Sequence, residues 1–151
     1  MVAQDYLCRI EAPVSAAEAF EKISRVSEWW AKNFSGSARE LGDTFQVRFG
    51  GTFVDFEITE AEPSKKIVWQ VVNCNLNWLS DKTEWSDTSV LWELSEGNGV
   101  TGVTMVHRGL VPGMECYEEC NQGWNFFVSE SLQQFLSVGQ GLPKGDGGHN
   151  E

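Results

Sequence analysis

Apolar residues recur at every second position along much of residues 44–107, and from Cys116 to Gly139 they recur at every third or fourth. The first spacing puts one face of a strand in contact with a core, and the second does the same for a helix. The chain must therefore build several half-buried strands and then lay one long amphipathic helix against them. A strand set and a helix that each have one face to bury make a two-layer α+β domain.

The strands follow from the pattern in detail. "DYLCRIEA" alternates Tyr6, Cys8 and Ile10 and ends at Pro13. Ser15 with Glu18 three residues on is a capping box for a short helix over "AAEAFEKI", and "SEWWAKNF" adds a second short helical piece carrying Trp29 and Trp30. Phe45, Val47 and Phe49 share a face, a Gly50–Gly51 turn follows, and Val54, Phe56 and Ile58 return. Ile67, Trp69 and Val71 line the next strand. Val90, Trp92 and Leu94 pair through an "EGNG" turn with Val103, Met105 and His107, so His107 points to the apolar side. Between them, residues 73–87 form a polar loop carrying Trp78 and Trp85. The final helix places Cys120, Trp124, Phe127, Val128, Ser131, Leu132 and Phe135 inward and stops at "GQGLP".

At 151 residues the expected organisation is one domain over residues 1–143, with "KGDGGHNE" at 144–151 a disordered polar tail. A net charge of -11 repels phosphate backbones and anionic lipid, and no Lys/Arg cluster offsets it. Nucleic acid and membrane surfaces are therefore excluded as partners. The N-terminus lacks a basic and then apolar leader, and no apolar run spans a bilayer, so the expected location is the cytoplasm. Cys8, Cys74, Cys116 and Cys120 have no metal-ligand spacing and read as free thiols.

Candidate chemistry concentrates at "HRGLVPGMECYEECNQGW", residues 107–124. His107, Cys116 and Cys120 supply three zinc ligands in principle, or a nucleophile with a base. A strand end and a helix start are poorly placed to close on one ion, and only Glu115, Glu118 or Glu119 stands near as a fourth ligand. No metal and no cofactor is therefore expected, and the thiols are read as packed at a helix start. His107 leaves two alternatives: the one polar group orienting an apolar ligand, or a core histidine bonded to backbone or to a helix residue such as Ser131. The carboxylates Asp55, Glu57 and Glu93 alternate outward and form no acid/base pair.

Several stretches together carry a family resemblance. These are the early "AP" before a helix and "WW", "GD.F" at 42–45, "I.EAEPSKKIVW" at 58–69, "W..T.V.WEL" at 85–94, "VT.VH.GL" at 103–110, and the closing "C...W..F...SL..FL..G.G.P". In order and spacing they resemble the SRPBCC, or START-like, superfamily. Within it they are most similar to the activator of heat-shock-protein-90 ATPase homologues and to polyketide-cyclase-like proteins. The family's "W.GT" reads Trp85-Ser86-Asp87-Thr88 here, without the glycine.

The resemblance implies a helix-grip fold, a curved antiparallel sheet wrapped around the long helix with a hydrophobic cavity between them. It also implies binding of an apolar or aromatic small molecule, lipid-like or polyketide-like. The expected lining is Trp30, Phe45, Phe56, Trp69, Trp92, Met105, His107, Trp124 and Phe127, with Trp29, Trp30, Trp78 and Trp85 placed to close the mouth. The alternatives are a protein-interaction module acting on a chaperone ATPase, with a chaperone or homodimer partner, and a cyclase or hydrolase using His107 as its acid/base.

Overall fold

The computed structural model describes residues 5–49, 51–76, 80, 82–111, 115 and 117–143. Gly50, Trp78, Cys116 and the tail at 144–151, each given a role above, lie outside the described residues. The strands are β1 (Tyr6–Ala12), β2 (Asn33–Gly36), β3 (Thr44–Phe49), β4 (Thr52–Glu62), β5 (Lys66–Asn75), β6 (Ser89–Gly97) and β7 (Val100–Arg108). They form one antiparallel sheet in the order β1-β7-β6-β5-β4-β3-β2. With the helices on one face of that sheet, the architecture is the α+β helix-grip fold.

The registers match the two-residue period of the sequence. Trp92 stands opposite Met105, Val90 opposite His107 and Phe45 opposite Phe56, so these side chains share the inner face. Asn98 and Gly99 both have positive φ, +55° and +78°, in the two-residue turn between Gly97 and Val100. That is the backbone a tight hairpin with the natural strand twist requires, and Asn-Gly supplies it cheaply. Register shifts at Asp55/Phe56 and Ile58/Glu60 interrupt the β4–β5 ladder. Bulges of this kind bend a strand and help a sheet curl.

Helix α1 (Ala16–Ile23) starts where the capping box put it, with the Glu18 N–H donating to Ser15 Oγ at 3.1 Å. Helix α2 (Val26–Trp29) is a single turn. The chain then enters β2, a short edge strand in "NFSG" that has no apolar alternation to announce it.

The C-terminal helix runs as α3 (Tyr117–Phe126), a π-helical segment over Phe127–Leu132, and α4 (Gln133–Val138). It ends on Gly139, φ +86°, whose N–H bonds Phe135 O. The wide turn has a cause in the sequence. Cys120, Trp124, Val128, Leu132 and Leu136 are all buried and lie four residues apart. On a regular helix each four-residue step rotates by about 40°, so such a row would drift off the sheet. A turn with i→i+5 bonding takes up more residues and limits that drift.

A second row at the same spacing faces the edge strand. Tyr6 donates its hydroxyl to Asn125 Oδ1 at 2.6 Å, Cys8 Sγ lies 3.0 Å from Ser129 Oγ, and Gln133 Nε2 donates to Glu11 O at 2.8 Å. Directional bonds thus fasten the helix along β1. On the opposite side, towards β3, rings make the bridge: Phe49 and Phe127 have centroids 6.2 Å apart, and Trp30 lies 6.2 Å from Phe49 and 6.5 Å from Phe127.

Candidate functional site

All nine residues expected to line a cavity meet on the inner face of the sheet or opposite it. Trp30 touches Phe56, Trp69, Trp124 and Phe127, Phe45 packs on Phe56 and Trp69, and Trp69 meets Trp92 edge-on at 5.2 Å. Phe127 is half-buried and the other eight are buried. These side chains contact one another in the space where the resemblance implied a cavity. The reason lies in α2, because Trp29 and Trp30 turn inward and lay their rings on Trp69. Trp29 and Trp30, both expected to close the mouth, are withdrawn from solvent, at 0% and 4% exposure.

The two are held differently. Trp29 donates its indole N–H to Ile23 O at 3.1 Å, and its carbonyl accepts the Ser131 hydroxyl at 2.6 Å. Ser131 in turn accepts the Leu142 N–H at 2.7 Å, so helix, α2 and the C-terminal segment meet at one oxygen. The Trp30 side chain is held by ring contacts, and it reaches the half-buried Phe49 and Phe127. Behind it, Trp69 Nε1 and Trp92 Nε1 are fully buried donors without a hydrogen-bond partner.

His107 occupies a separate corner of the same core. It is fully buried, its Nδ1 accepts the Trp124 indole N–H at 3.0 Å, and its Nε2 lies 2.9 Å from Thr88 Oγ1. An indole only donates, so Nδ1 carries no proton and the neutral ring donates from Nε2 to Thr88. Thr88 passes its own hydrogen to Trp85 O at 2.6 Å. Burial pushes the imidazole pKa down to about 3. Trp85 stands edge-on to the ring at 4.6 Å. The partners are thus Trp124 and Thr88, and Ser131 is engaged elsewhere. With both nitrogens committed, the ring offers neither a base nor a ligand-orienting donor, and the acid/base reading of His107 finds no support in this geometry.

The local backbone is built around that bond. Asp87, at the position of the family's glycine, has φ +68°, the left-handed conformation in which glycine is the easier residue. Gly109 has φ +99°, and a Cβ there would lie 2.7 Å from Thr88 Cγ2. Gly109→Ala is therefore expected to combine backbone strain with displacement of Thr88, at about 1–3 kcal/mol. Thermal melts check this, and an unchanged melting temperature would contradict it.

Elsewhere the chemistry is sparse. Cys8, Cys74 and Cys120 are buried, and among the described residues no three His, Cys, Asp or Glu side chains are grouped to hold a metal ion. No described helix is long and apolar enough to cross a membrane. An outer groove of about 370 Å³ runs past Ser24, Arg25, Glu28 and Arg39. Its two arginines are already drawn to Glu21, at 2.8 Å for Arg25 and 3.5 Å for Arg39.

Residues 18–137 match the family model described as activator of Hsp90 ATPase homolog 1-like protein. Among solved structures, the Aha1 dimer from Colwellia psychrerythraea is 24% identical with a TM-score of 0.74, covering 93% of this chain and 100% of that one. DynU16, of the dynemicin biosynthetic locus, is 23% identical with a TM-score of 0.65, covering 89% of this chain and 48% of that one. The chain thus spans about half of DynU16. CalU16 from Micromonospora echinospora is 18% identical with a TM-score of 0.63, covering 84% and 73%. At these identities the likeness concerns the fold. Comparison with curated protein sequences gives no match.

Proposed function

Since the chain belongs to the activator of Hsp90 ATPase homolog 1-like family, whose helix-grip fold is suited to holding hydrophobic ligands, we propose that it takes up an apolar or aromatic small molecule between sheet and helix. The observation that carries this is the asymmetry of the grip. Hydrogen bonds fasten the helix to β1, whereas on the β3 side the contacts seen among the described residues are between rings. Ring contacts carry no hydrogen bond, so an incoming ring can replace one without orphaning a polar group. Trp30 is the ring to be replaced, entered past Phe49 and Phe127. The remaining expected lining, Phe45, Phe56, Trp69, Trp92, Met105 and Trp124, then holds the guest, while His107 serves the wall by fixing Trp124.

A guest burying about 200 Å² of apolar surface gains about 5 kcal/mol before immobilisation costs, so this burial alone gives affinity no tighter than about 0.2 mM, and a larger buried area or a hydrogen bond is needed to reach the micromolar range. Titrating the full chain with a fluorescent fatty acid, a flavone and an aromatic ketone, read by tryptophan quenching, is expected to give saturable binding for at least one of them. Absence of saturation across all three overturns the reading. The buried free thiol of Cys8 supports a reducing, cytoplasmic setting.

Leu7 favours a second reading, contact with a chaperone ATPase or with a second copy of the chain. It is 60% exposed on the sheet-edge strand β1. Sedimentation of wild type and Leu7→Lys tests the dimer, and ATPase stimulation tests the chaperone.

A further inference from the structure

Trp69 Nε1 and Trp92 Nε1 are the feature of the core that packing leaves unexplained. Native cores rarely strand a buried donor, and each one costs about 1–3 kcal/mol. Here two stand side by side. Their rings are 5.2 Å apart, on neighbouring strands of the inner face, and both side chains are 0% exposed. Trp29, from the same α2 turn, shows the ordinary outcome, an indole N–H bonded to a backbone carbonyl.

The chemistry of a partner for this pair is narrow. An indole N–H donates and does not accept, so the partner is an acceptor. The ring neighbours of the two indoles are Trp29, Trp30, Phe45 and Phe56, none of which offers a side-chain acceptor. A water has two hydrogens and a hydroxyl one that would need acceptors of their own, and the ring neighbours supply none. A carbonyl oxygen has two lone pairs and no hydrogen to place. Charge is excluded as well: among the described residues no Lys, Arg, Asp or Glu is buried, and the buried His107 is held neutral by its two bonds. A buried carboxylate would have no countercharge.

We infer that Trp69 and Trp92 form a two-donor subsite for the carbonyl oxygen of a neutral, flat aromatic ketone or quinone. This rests on the uptake proposed above and specifies the guest's polar end. Trp30 is the ring that yields, because it covers Trp69 at 6.3 Å with planes 3° apart and a flat guest can take over that stacking.

A matched pair of probes tests it on the full wild-type chain. Fluorenone and fluorene have nearly the same shape, and only fluorenone has the carbonyl. An apolar pocket without donors prefers fluorene, because the ketone loses its bonds to water on entry. The two-donor subsite reverses that preference, and fluorenone is expected to bind about five- to tenfold more tightly. Of the seven tryptophan indole N–H resonances, two should move downfield with fluorenone and stay with fluorene. Trp69→Phe and Trp92→Phe identify the two signals and should each erase part of the preference. Fluorene-9-carboxylate should bind at least tenfold more weakly than fluorenone.

Equal affinities with unmoved indole signals would overturn the subsite and leave uptake standing. Tight binding of the carboxylate would overturn the neutral assignment. Failure of both neutral probes to bind would overturn the subsite, and uptake would then be decided by the titration with the fatty acid, flavone and aromatic ketone. If either variant fails to fold, the wild-type affinity ratio and indole shifts decide alone.

Discussion

Trp30→Ala is expected to lower stability by about 3–5 kcal/mol, the usual range for truncating a large buried aromatic, and to make the protein stabilisable by free indole. Trp30 contacts Trp29, Phe49, Phe56, Trp69, Trp124 and Phe127, so its removal leaves a void walled by rings. Apolar voids of this kind stay dry and accept aromatic guests. A guest that binds only the folded chain raises stability by about 2.7 kcal/mol at one hundred times its dissociation constant. Melting curves of the variant with millimolar indole should therefore move upward, while wild type should move much less. A loss under 1 kcal/mol would mean that the site collapses around the missing ring. A full loss without rescue by indole would mean that the β3 side does not admit guests.

Stability is expected to fall by about 2 kcal/mol between pH 6.5 and 5, through His107. The folded pKa lies near 3 and the unfolded value near 6.5, so above pH 6.5 both states carry a neutral ring and pH has no effect through it. Below 6.5 the unfolded chain takes up a proton that the folded chain refuses, and stability drops by about 1.4 kcal/mol per pH unit until the folded ring titrates as well. The window from 6.5 to 5 lies above the ordinary carboxylate range, which isolates the histidine. Urea unfolding at pH 7, 6 and 5 measures the slope. His107→Gln should flatten it, since an amide supplies an acceptor and a donor without titrating. A flat profile in wild type would mean that the ring charges inside the core.

The strands were legible because each buries one face, and that leaves a two-residue rhythm wherever the strand is long enough. The inward direction of His107 followed from Met105 by that rule. Its partners did not, since Thr88 and Trp124 lie on other elements and only the pairing of β6 with β7 and the seating of the helix bring them near. Short β2 had no rhythm to show. The inward turn of Trp29 and Trp30 depends on Ser131 and Ile23 O, tertiary partners that no local pattern names. The wide helical turn did leave a trace, the strict spacing of four from Cys120 to Leu136, which is easily mistaken for an ordinary mixed spacing of three and four. The unmatched indoles left none, because in sequence Trp69 and Trp92 look like any inward aromatic residue.

That wide turn also fixes where the chain tolerates a change of length. Deleting one residue inside α3 or α4 rotates everything beyond it by about 100°, exchanging Leu136 for a polar neighbour against the sheet. Deleting one residue between Phe127 and Leu132 lets the i→i+5 turn close to ordinary i→i+4 geometry, with Trp124 and Leu136 still facing inward. The helix therefore carries one supernumerary residue at the level of the aromatic core, and a shortened chain could shed it without losing the register at either end.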